Sequence, residues 1–373
     1  MNKMVDEQAA DVAPNPSVDR QLNLYPLPMV HHASASGYDR VADHLGGVIV
    51  PPTEKSTLGH RVLGRLAKEL CQRSGSRWYS RDSFLRELSA AREWYSHRGR
   101  VFHFLYGENS FRYLGQLKKF QPSRNALVAT YHTPPQRFNE VVENQAHVGS
   151  LDAVILMSNS QRATFEQLID PERIHFVPHG IDTAHFTPGN QAESRFERLR
   201  QDSTAKFNCL AVGRMLRDYD TLAAAARTLE QSHPNIHFQI VASAEVQPPF
   251  DGLGNVTFFS QIDDQQLLDL YREAAVLTLP MHDCTANNVL LEGMACGLPV
   301  VATDLQGVRD YTNAECVSLV PAADGIAFGR ELVRLSENID LVQARAKASR
   351  AQAESLAWPK IGNRLRQVYE TLL

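Results

Sequence analysis

Residues 280–304 read PMHDCTANNVLLEGMACGLPVVATD, the stretch whose pattern is most informative about the fold. The apolar run AVLTLP (275–280) leads into it and predicts a buried strand. A polar loop follows, and then a run with helical spacing up to Gly297, where a C-terminal cap is expected with Pro299 beyond it. PVVAT (299–303) predicts a second buried strand. Strand, helix and strand in this order predict a parallel sheet, whose ligands gather at the carboxyl ends of its strands.

The same alternation of strand and helix patterns recurs on both sides of a polar, charged segment at residues 191–206. It predicts an α/β protein with two Rossmann-like domains and parallel sheets. Two domains also suit the length of 373 residues, which exceeds the usual size of one domain. In the first half, GGVIVPP (46–52) predicts one of the buried strands. The predicted divisions are a flexible tail (1–20), an N-terminal domain (21–190), a linker (191–206), a C-terminal domain (207–355) and a closing helix (356–373).

The composition is typical of a globular protein, with 43% hydrophobic and 21% charged residues. The five cysteines are odd in number and lack the spacing of metal-binding pairs, which favours free thiols in a reducing compartment. No run reaches the roughly 18 apolar residues of a membrane span, and residues 1–20 lack the apolar core of a signal peptide. We therefore expect a cytoplasmic protein, with the inner face of the membrane as an alternative location.

Residues 55–124 carry 15 basic and 5 acidic side chains, whereas the whole chain has a net charge of -4. Solvated helix faces explain this excess as well as a binding surface does. The second interpretation is a basic face for anionic membrane lipids or an anionic acceptor. Nucleic acid is not expected as a partner.

The loop and helix in the opening stretch offer a site for a phosphorylated ligand. Thr285 and Asn287 are good helix N-caps, and the backbone N–H groups and positive dipole at a helix N-terminus suit a phosphate. Glu292 lies about one turn further on and could accept both hydroxyls of a ribose. The alternative is a solvated helix residue, which the apolar neighbours of Glu292 disfavour.

The strand pattern FNCLAVGR (207–214) ends in a second candidate phosphate loop. Gly213 lets a ligand approach the backbone, and Arg214 and Arg217 offer guanidinium groups for phosphate oxygens. An ordinary surface turn would explain this piece alone. Together, the two loops predict a nucleotide at the strand ends of one domain. The sequence has no G-x-G-x-x-G, no Walker P-loop and no nucleophile elbow, which disfavours dinucleotide redox, phosphoryl transfer and esterase chemistry.

Four segments resemble the retaining glycosyltransferases of family 4, which have the GT-B fold of two facing Rossmann-like domains. They are VPHGIDTAHFTP (177–188), VGR (212–214), LLEGMACGLPVVATDLQGVRD (290–310) and SLAWPKIGNRLRQVYETLL (355–373). The last resembles the closing helix that crosses back to the N-terminal domain. The resemblance is strong from about residue 151 onwards and weaker before it.

This resemblance implies a transfer of a sugar from a UDP- or GDP-linked donor to an acceptor hydroxyl, with retention of configuration. It implies no metal and no cofactor besides the nucleotide sugar, with a sugar, a glycolipid or another hydroxyl compound as acceptor. The donor binds mainly to the C-terminal domain and the acceptor mainly to the N-terminal one. Two alternatives remain: a non-catalytic nucleotide-sugar-binding protein and a nucleotide-sugar epimerase.

The resemblance also implies roles for individual residues. Glu292 matches the acid on the ribose, Arg214 the basic residue on the diphosphate, and His132 a histidine that faces the donor sugar, and these three are the catalytic candidates. Candidates on the acceptor side are Tyr106, Glu108, His132 and His179. The donor-binding candidates are Gly37, Gly213, Arg214, Arg217, Asp283, Cys284, Thr285, Asn287, Asn288, Val289 and Glu292.

Two positions depart from the family pattern. The family usually has a second acid eight residues before Glu292, where this chain has Cys284. It also usually has a lysine shortly after the Arg of the GR motif, where this chain has Arg217 in a shorter loop. The sequence therefore predicts that Cys284 replaces a sugar-contacting acid and that Arg217 supplies the missing charge. A nucleophilic Cys284 is disfavoured because its neighbours His282 and Asp283 share its loop and no oxyanion partner is evident.

Overall fold

The fold is known from a computed structural model. It describes residues 23–27, 36–46, 67–118, 125–190, 192–202 and 204–373. The predicted strand at 46–52 and the ends of the basic segment, 55–66 and 119–124, lie mostly or wholly outside this part of the chain.

Five parallel strands of the described residues form the first sheet, in the spatial order β1-β2-β3-β4-β5. The strands are β1 (Asn23–Leu27), β2 (Arg100–Phe104), β3 (Ala126–Tyr131), β4 (Ala153–Leu156) and β5 (Ile174–Phe176). β3 and β4 are buried along their whole length, as expected for parallel strands covered on both faces.

Six parallel strands of the described residues form the second sheet, in the order β11-β10-β9-β6-β7-β8. They are β6 (Phe207–Val212), β7 (Ile236–Val241), β8 (Val256–Phe259), β9 (Val276–Leu279), β10 (Val300–Thr303) and β11 (Val317–Val320). The predicted strands at 275–280 and 299–303 are β9 and β10, which pair directly. The two sheets confirm the predicted pair of Rossmann-like domains.

Helices connect and cover the strands of both sheets. In the first half they are α1 (Val41–Leu45), α2 (Arg81–Ser96), α3 (Gly107–Ser110), α4 (Leu114–Leu117), α5 (Pro135–Val141) and α6 (Arg162–Phe165). In the second half they are α7 (Ala192–Gln201), α8 (Tyr219–Leu229), α9 (Asp264–Glu273), α10 (Asn288–Ala295), α11 (Gln306–Arg309), α12 (Gly325–Ser336), α13 (Ile339–Ser355) and α14 (Trp358–Glu370). Residues 67–73 are also helical. In the described part of the chain, no helix has the length and apolar character needed to cross a bilayer.

The closing helix α14 returns from the second sheet to the first. Its Tyr369 hydroxyl lies 2.6 Å from His103 Nδ1 on β2, and Arg366 donates to the carbonyl oxygens of His44 and Leu45 at the end of α1. Burial lowers the pKa of His103 to about 3, so this ring is neutral. The crossing predicted from the C-terminal segment is therefore present.

The polar segment predicted as a linker contains helix α7. Its Phe196 packs with Phe207 in a core on one face of the second sheet. Arg195 donates from Nη1 to the carbonyl oxygens of Arg272 and Ala274, and from Nη2 to that of Gly297. This charged helix is held mainly by one phenylalanine and one buried arginine. It has too few apolar residues to show the spacing by which a helix is predicted from sequence. The domain boundaries themselves stay a prediction.

Candidate functional site: the cleft between the two sheets

Helix α10 begins where the loop after β9 ends, as the sequence predicted. The side chain of Asn287 accepts a hydrogen bond from the amide of Leu290 at 3.2 Å and so caps the helix. Asn288 and Val289 form its half-buried first turn. The remaining N-terminal amides of α10 and its positive dipole end are therefore directed at the loop.

The two arginines of the second loop have different environments. The side chain of Arg214 is 66% exposed and forms an ion pair of 2.8 Å with Glu245. Arg217 instead lies in the cleft, where its Nε donates to the Val212 carbonyl at 2.9 Å and its Nη2 to Asn287 Oδ1 at 3.4 Å. Burial lowers the pKa of Arg217, and an anionic ligand bound beside it would offset this cost of desolvation.

A glycine makes room for this arrangement of Arg217. Gly213 has φ +93, and a Cβ there would lie 3.3 Å from the Arg217 guanidinium. The loop is also tied to the end of β9, since the amide of His282 donates to Leu216 O at 3.0 Å and that of Asp218 to Pro280 O at 2.9 Å. The shortened loop therefore holds the second arginine, not the first, next to α10.

Glu292 is buried on α10, with 6% of its surface exposed. Its Oε2 accepts a hydrogen bond from the Tyr271 hydroxyl at 2.8 Å, and the nearby Ser36 hydroxyl of the first domain also favours the charged carboxylate. Burial nevertheless raises the pKa of Glu292. The surface position weighed from the sequence is excluded: this acid lies where the two domains meet.

The loop between β9 and α10 holds Asp283, Cys284 and Thr285. Burial raises the pKa of the Cys284 thiol to about 12, which favours the neutral thiol over the thiolate. The half-buried Asp283 accepts the Cys284 amide at 2.7 Å, and burial raises the pKa of this carboxyl. A Cβ on Gly307 would lie 2.2 Å from the Cys284 carbonyl oxygen, so this loop packs directly against the turn after β10.

The first domain contributes a segment that begins at Ser36. Ser36 and Gly37 are buried, and Gly37 precedes the short 3-10 helix Tyr38–Arg40. The hydroxyl contact of Ser36 with Glu292 brings Gly37 to the edge of the candidate donor site. The sequence had nominated Gly37 for this position.

His132 lies at the end of β3 and is held by aromatic rings. Its ring stacks on that of Tyr106 with 4.4 Å between centroids, and the edge of Tyr38 meets it at 4.8 Å. Its Nε2 lies 2.8 Å from the carbonyl oxygen of Leu105, so that nitrogen donates. The carbonyl oxygen of His132 accepts the hydroxyl of Thr285 from the opposite domain. The backbone of His132 therefore contacts the loop of Asp283, Cys284 and Thr285 across the cleft.

The other three acceptor-side candidates are buried around His132. Tyr106 uses its hydroxyl to accept the amide of Tyr38 at 3.2 Å. Glu108 is 2% exposed and accepts the amide of His132 at 3.1 Å. His179 packs between the rings of Tyr38 and Trp358, at 5.3 and 5.0 Å. These side chains line the cleft from beneath, and none of the three is exposed at its surface.

Asp310 and Tyr311 join the two domains beside the cleft. Asp310 accepts hydrogen bonds from the Ser158 hydroxyl and the Asn159 amide, both at 2.7 Å. The buried hydroxyl of Tyr311 accepts the amide of His179 at 2.9 Å and donates to Met157 O at 2.8 Å. Sequence reasoning missed both contacts, although Asp310 ends the segment 290–310 that resembles the family and Tyr311 directly follows it.

Ser36 and Tyr271, the partners of Glu292, were also missed. Neither has a local signal in the sequence, because each meets the carboxylate only through tertiary packing. Among the described residues, no group of three or more His, Cys, Asp or Glu side chains is placed to hold a metal ion. Independence of a metal stays a prediction.

Solved structures with similar folds define the class of this protein. Sucrose-phosphate synthase from Thermosynechococcus elongatus superposes with a TM-score of 0.68 and 20% identity, covering 94% of this chain and 99% of that one. Anabaena HepE in complex with UDP superposes with a TM-score of 0.67 and 14% identity, covering 94% and 100%. The chain thus has the GT-B fold.

Sequence comparisons give a related domain and related proteins. Residues 206–338 match the model of the family "Glycosyl transferases group 1". The D-inositol 3-phosphate glycosyltransferase of Saccharomonospora viridis is 26% identical over 267 residues, which cover 66% of this chain and 61% of that protein. The chain spans about three-fifths of the length of such curated relatives.

Proposed function

We propose that this protein transfers a sugar from a UDP- or GDP-linked donor to an acceptor hydroxyl, with retention of configuration and without a metal ion. The observation that carries the proposal is the meeting of three polar groups at one end of α10. These are the Arg217 guanidinium, the capped helix N-terminus and the Glu292 carboxylate. A cation with free amides suits a diphosphate, and a buried carboxylate close by suits the ribose attached to it.

The diphosphate is assigned to Arg217 and the N-terminal amides of α10. Charge grows on the diphosphate as the sugar leaves, so donors fixed in advance lower the barrier to the transfer. Arg214 would have to leave Glu245 to join them. Exposed ion pairs contribute only about 0–1 kcal/mol, so this change is easy, but Arg214 is then a secondary contact.

The ribose is assigned to Glu292. Its carboxylate accepts the Tyr271 hydroxyl, and the Ser36 hydroxyl stabilises its charged form, which supports a site for sugar hydroxyls. A ribose hydroxyl would take the place of the Ser36 hydroxyl, and Tyr271 would keep the carboxylate oriented. UDP is the first nucleotide to test, because the solved neighbour HepE is in complex with UDP.

The transferred sugar is assigned to the space between His132 and the loop of Asp283, Cys284 and Thr285. Cys284 offers a neutral thiol where family members usually have an acid, so Asp283 and backbone groups are left to bind sugar hydroxyls. The acceptor enters from the first domain, whose side of the cleft carries the aromatic rings around His132. Peripheral contact with anionic membrane lipids, predicted from the basic segment, remains part of this proposal.

A ligand screen tests the first part of the proposal. Ligands that bind only the folded state raise the melting temperature by mass action. We expect a higher melting temperature with UDP or GDP and their sugars than with ADP or with no ligand. Failure of every nucleotide and nucleotide sugar to shift the transition would contradict the proposed donor site.

A turnover assay tests the second part. With the donor that gives the largest shift and a panel of hydroxyl acceptors, NMR of the product is expected to show the anomeric configuration of the donor. Glu292→Ala is expected to abolish turnover. Binding without turnover across the panel would support a non-catalytic binding protein, and an epimer formed without acceptor would support an epimerase.

A further inference from the structure

Glu108 is a buried acid that the proposed transfer does not use directly. It is 2% exposed, at the start of the short helix α3 after β2, and no ion pair joins it to a cation among the described residues. Its Oε1 accepts the His132 amide at 3.1 Å, whereas Oε2 has no hydrogen-bond partner of good geometry in the described part of the chain. A buried, half-satisfied carboxylate is costly, and its persistence calls for an explanation.

The backbone next to Glu108 also contacts the loop of residues 283–285, here called the donor loop. Besides the His132 amide, the amides of Thr133 and of Glu108 itself stabilise the charged carboxylate. The amide of Thr133 and the carbonyl of His132 belong to one peptide group, and that carbonyl accepts the hydroxyl of Thr285. A negative charge near the N–H of a peptide polarises it and makes its carbonyl oxygen a better acceptor.

We propose that Glu108 is a positioning residue, whose carboxylate acts through the His132–Thr133 peptide to hold Thr285 and the donor loop against the first domain. This inference rests on the proposed function for its consequence, which is tighter binding of the nucleotide donor. It replaces the role of direct acceptor contact that the sequence had suggested for Glu108. The carboxylate faces the backbone and not the cleft.

The charge of Glu108 changes near neutral pH. Burial raises the pKa of this carboxyl to about 7, against the weaker opposing effect of the three amides. The titratable groups around it are the hydroxyls of Tyr106 and Tyr131 and the ring of His132, with Arg112, Glu87 and Asp39 further out. Burial raises the pKa of both tyrosines, so they stay neutral between pH 6 and pH 8. Glu108 is thus charged, and the contact with Thr285 strongest, above pH 7.

The first experiment measures the dissociation constant of UDP by calorimetry at pH 6 and pH 8 for the wild type and Glu108→Gln. Titration of the UDP phosphate is common to both proteins, so the ratio of the two constants is the readout. We expect Glu108→Gln to bind UDP about tenfold more weakly at pH 8, the equivalent of one charge-assisted hydrogen bond, and nearly as well as the wild type at pH 6. A ratio that is the same at both pH values would overturn the proposal.

Glu87→Gln is the matched control. Glu87 is also a buried acid of the first domain, and its Oε1 accepts the amides of Arg112, Tyr113 and Leu114, away from His132. Its loss is expected to lower stability but to leave the pH dependence of UDP affinity unchanged. The same change of pH dependence in Glu87→Gln would show a general effect of losing a buried acid and would contradict the proposal.

A second experiment needs no ligand. The denaturant midpoint is measured for Glu108→Gln, Thr285→Val and the double variant, as a double-mutant cycle. We expect Glu108→Gln to shift the midpoint less when Thr285 is already valine, because the link between the two residues is then gone. Strictly additive shifts would overturn the inference. If no nucleotide binds, the proposed function fails, and this cycle still decides whether Glu108 holds the donor loop.

Discussion

The two walls of the cleft differ in chemistry. The wall of the second sheet presents a half-buried cation, Arg217, and a buried carboxylate, Glu292, near the helix cap Asn287. The wall of the first sheet presents rings, with His132 stacked on Tyr106 and met edge-on by Tyr38. One wall fixes charges in space, as a charged nucleotide requires, whereas the other fixes the orientation of a single imidazole.

The two walls also differ in how many of their residues are positioned by neighbours close in the sequence. Residues of the second wall follow directly from β6 and β9, so short loops set their positions. The first wall is assembled from segments far apart in sequence, at residues 36–38, 106–108, 131–133, 179 and 358. Substitutions on the two walls should therefore have effects of different size and kind.

The largest expected effect is on the second wall. Arg217→Met should lower kcat by about 10²–10³, since it removes the half-buried cation assigned to the leaving diphosphate. The control is Arg214→Met, which loses only an exposed contact with Glu245 and should lower kcat by about tenfold or less. Steady-state kinetics with the donor identified by the ligand screen would check both. A greater loss in the Arg214 variant would reverse the assignment of the two arginines.

A smaller effect is expected for Glu292→Gln. The amide keeps the shape of the side chain but loses the charged acceptor, so the donor should bind about 2 kcal/mol more weakly, the usual value for a hydrogen bond to a charged group. Burial raises the pKa of Glu292, so this carboxylate is protonated at a higher pH than an exposed glutamate as the solution is acidified. The affinity of the wild type for the donor should therefore begin to fall at that higher pH. Calorimetry with UDP between pH 5 and pH 8 measures both, and a pH profile unchanged in the glutamine variant would argue against ribose binding by Glu292.

On the first wall, Tyr106→Leu should have a still smaller effect. It removes the ring stacked on His132 and the hydroxyl that accepts the Tyr38 amide, and an aromatic pair contributes about 0.5–1.5 kcal/mol beyond its buried area. We expect kcat to fall by about tenfold while the affinity for UDP stays the same. Weaker UDP binding with normal kcat would contradict this division, in which the second wall binds the nucleotide and the first wall orients His132.

The smallest effect is expected from Cys284. Its buried thiol, with a pKa raised to about 12, should resist alkylation, whereas the less buried Cys71 should react first. Treatment with iodoacetamide should leave activity within about twofold of the untreated enzyme, with mass spectrometry showing the label on Cys71. Inactivation that follows labelling of Cys284 would restore the nucleophilic role disfavoured by the sequence.

The sequence by itself determined the two parallel sheets, the loops at their strand ends and the position of Glu292 one turn into α10. These features depend on residues close together in the chain, where the period of apolar side chains and the preferences of caps give a local signal. Even so, β11 and helix α7 were not predicted. β11 is only four residues long, and the charged helix α7 has few apolar positions to give a helical pattern.

Only the tertiary structure decided which of two arginines enters the cleft, that Tyr271 contacts Glu292, and that Glu108 accepts the backbone amide of His132. The direction of each of these side chains follows from loop length and from packing against segments up to hundreds of residues away. Such contacts produce no periodic pattern in the sequence, because they form only when segments distant in the chain pack together around the cleft.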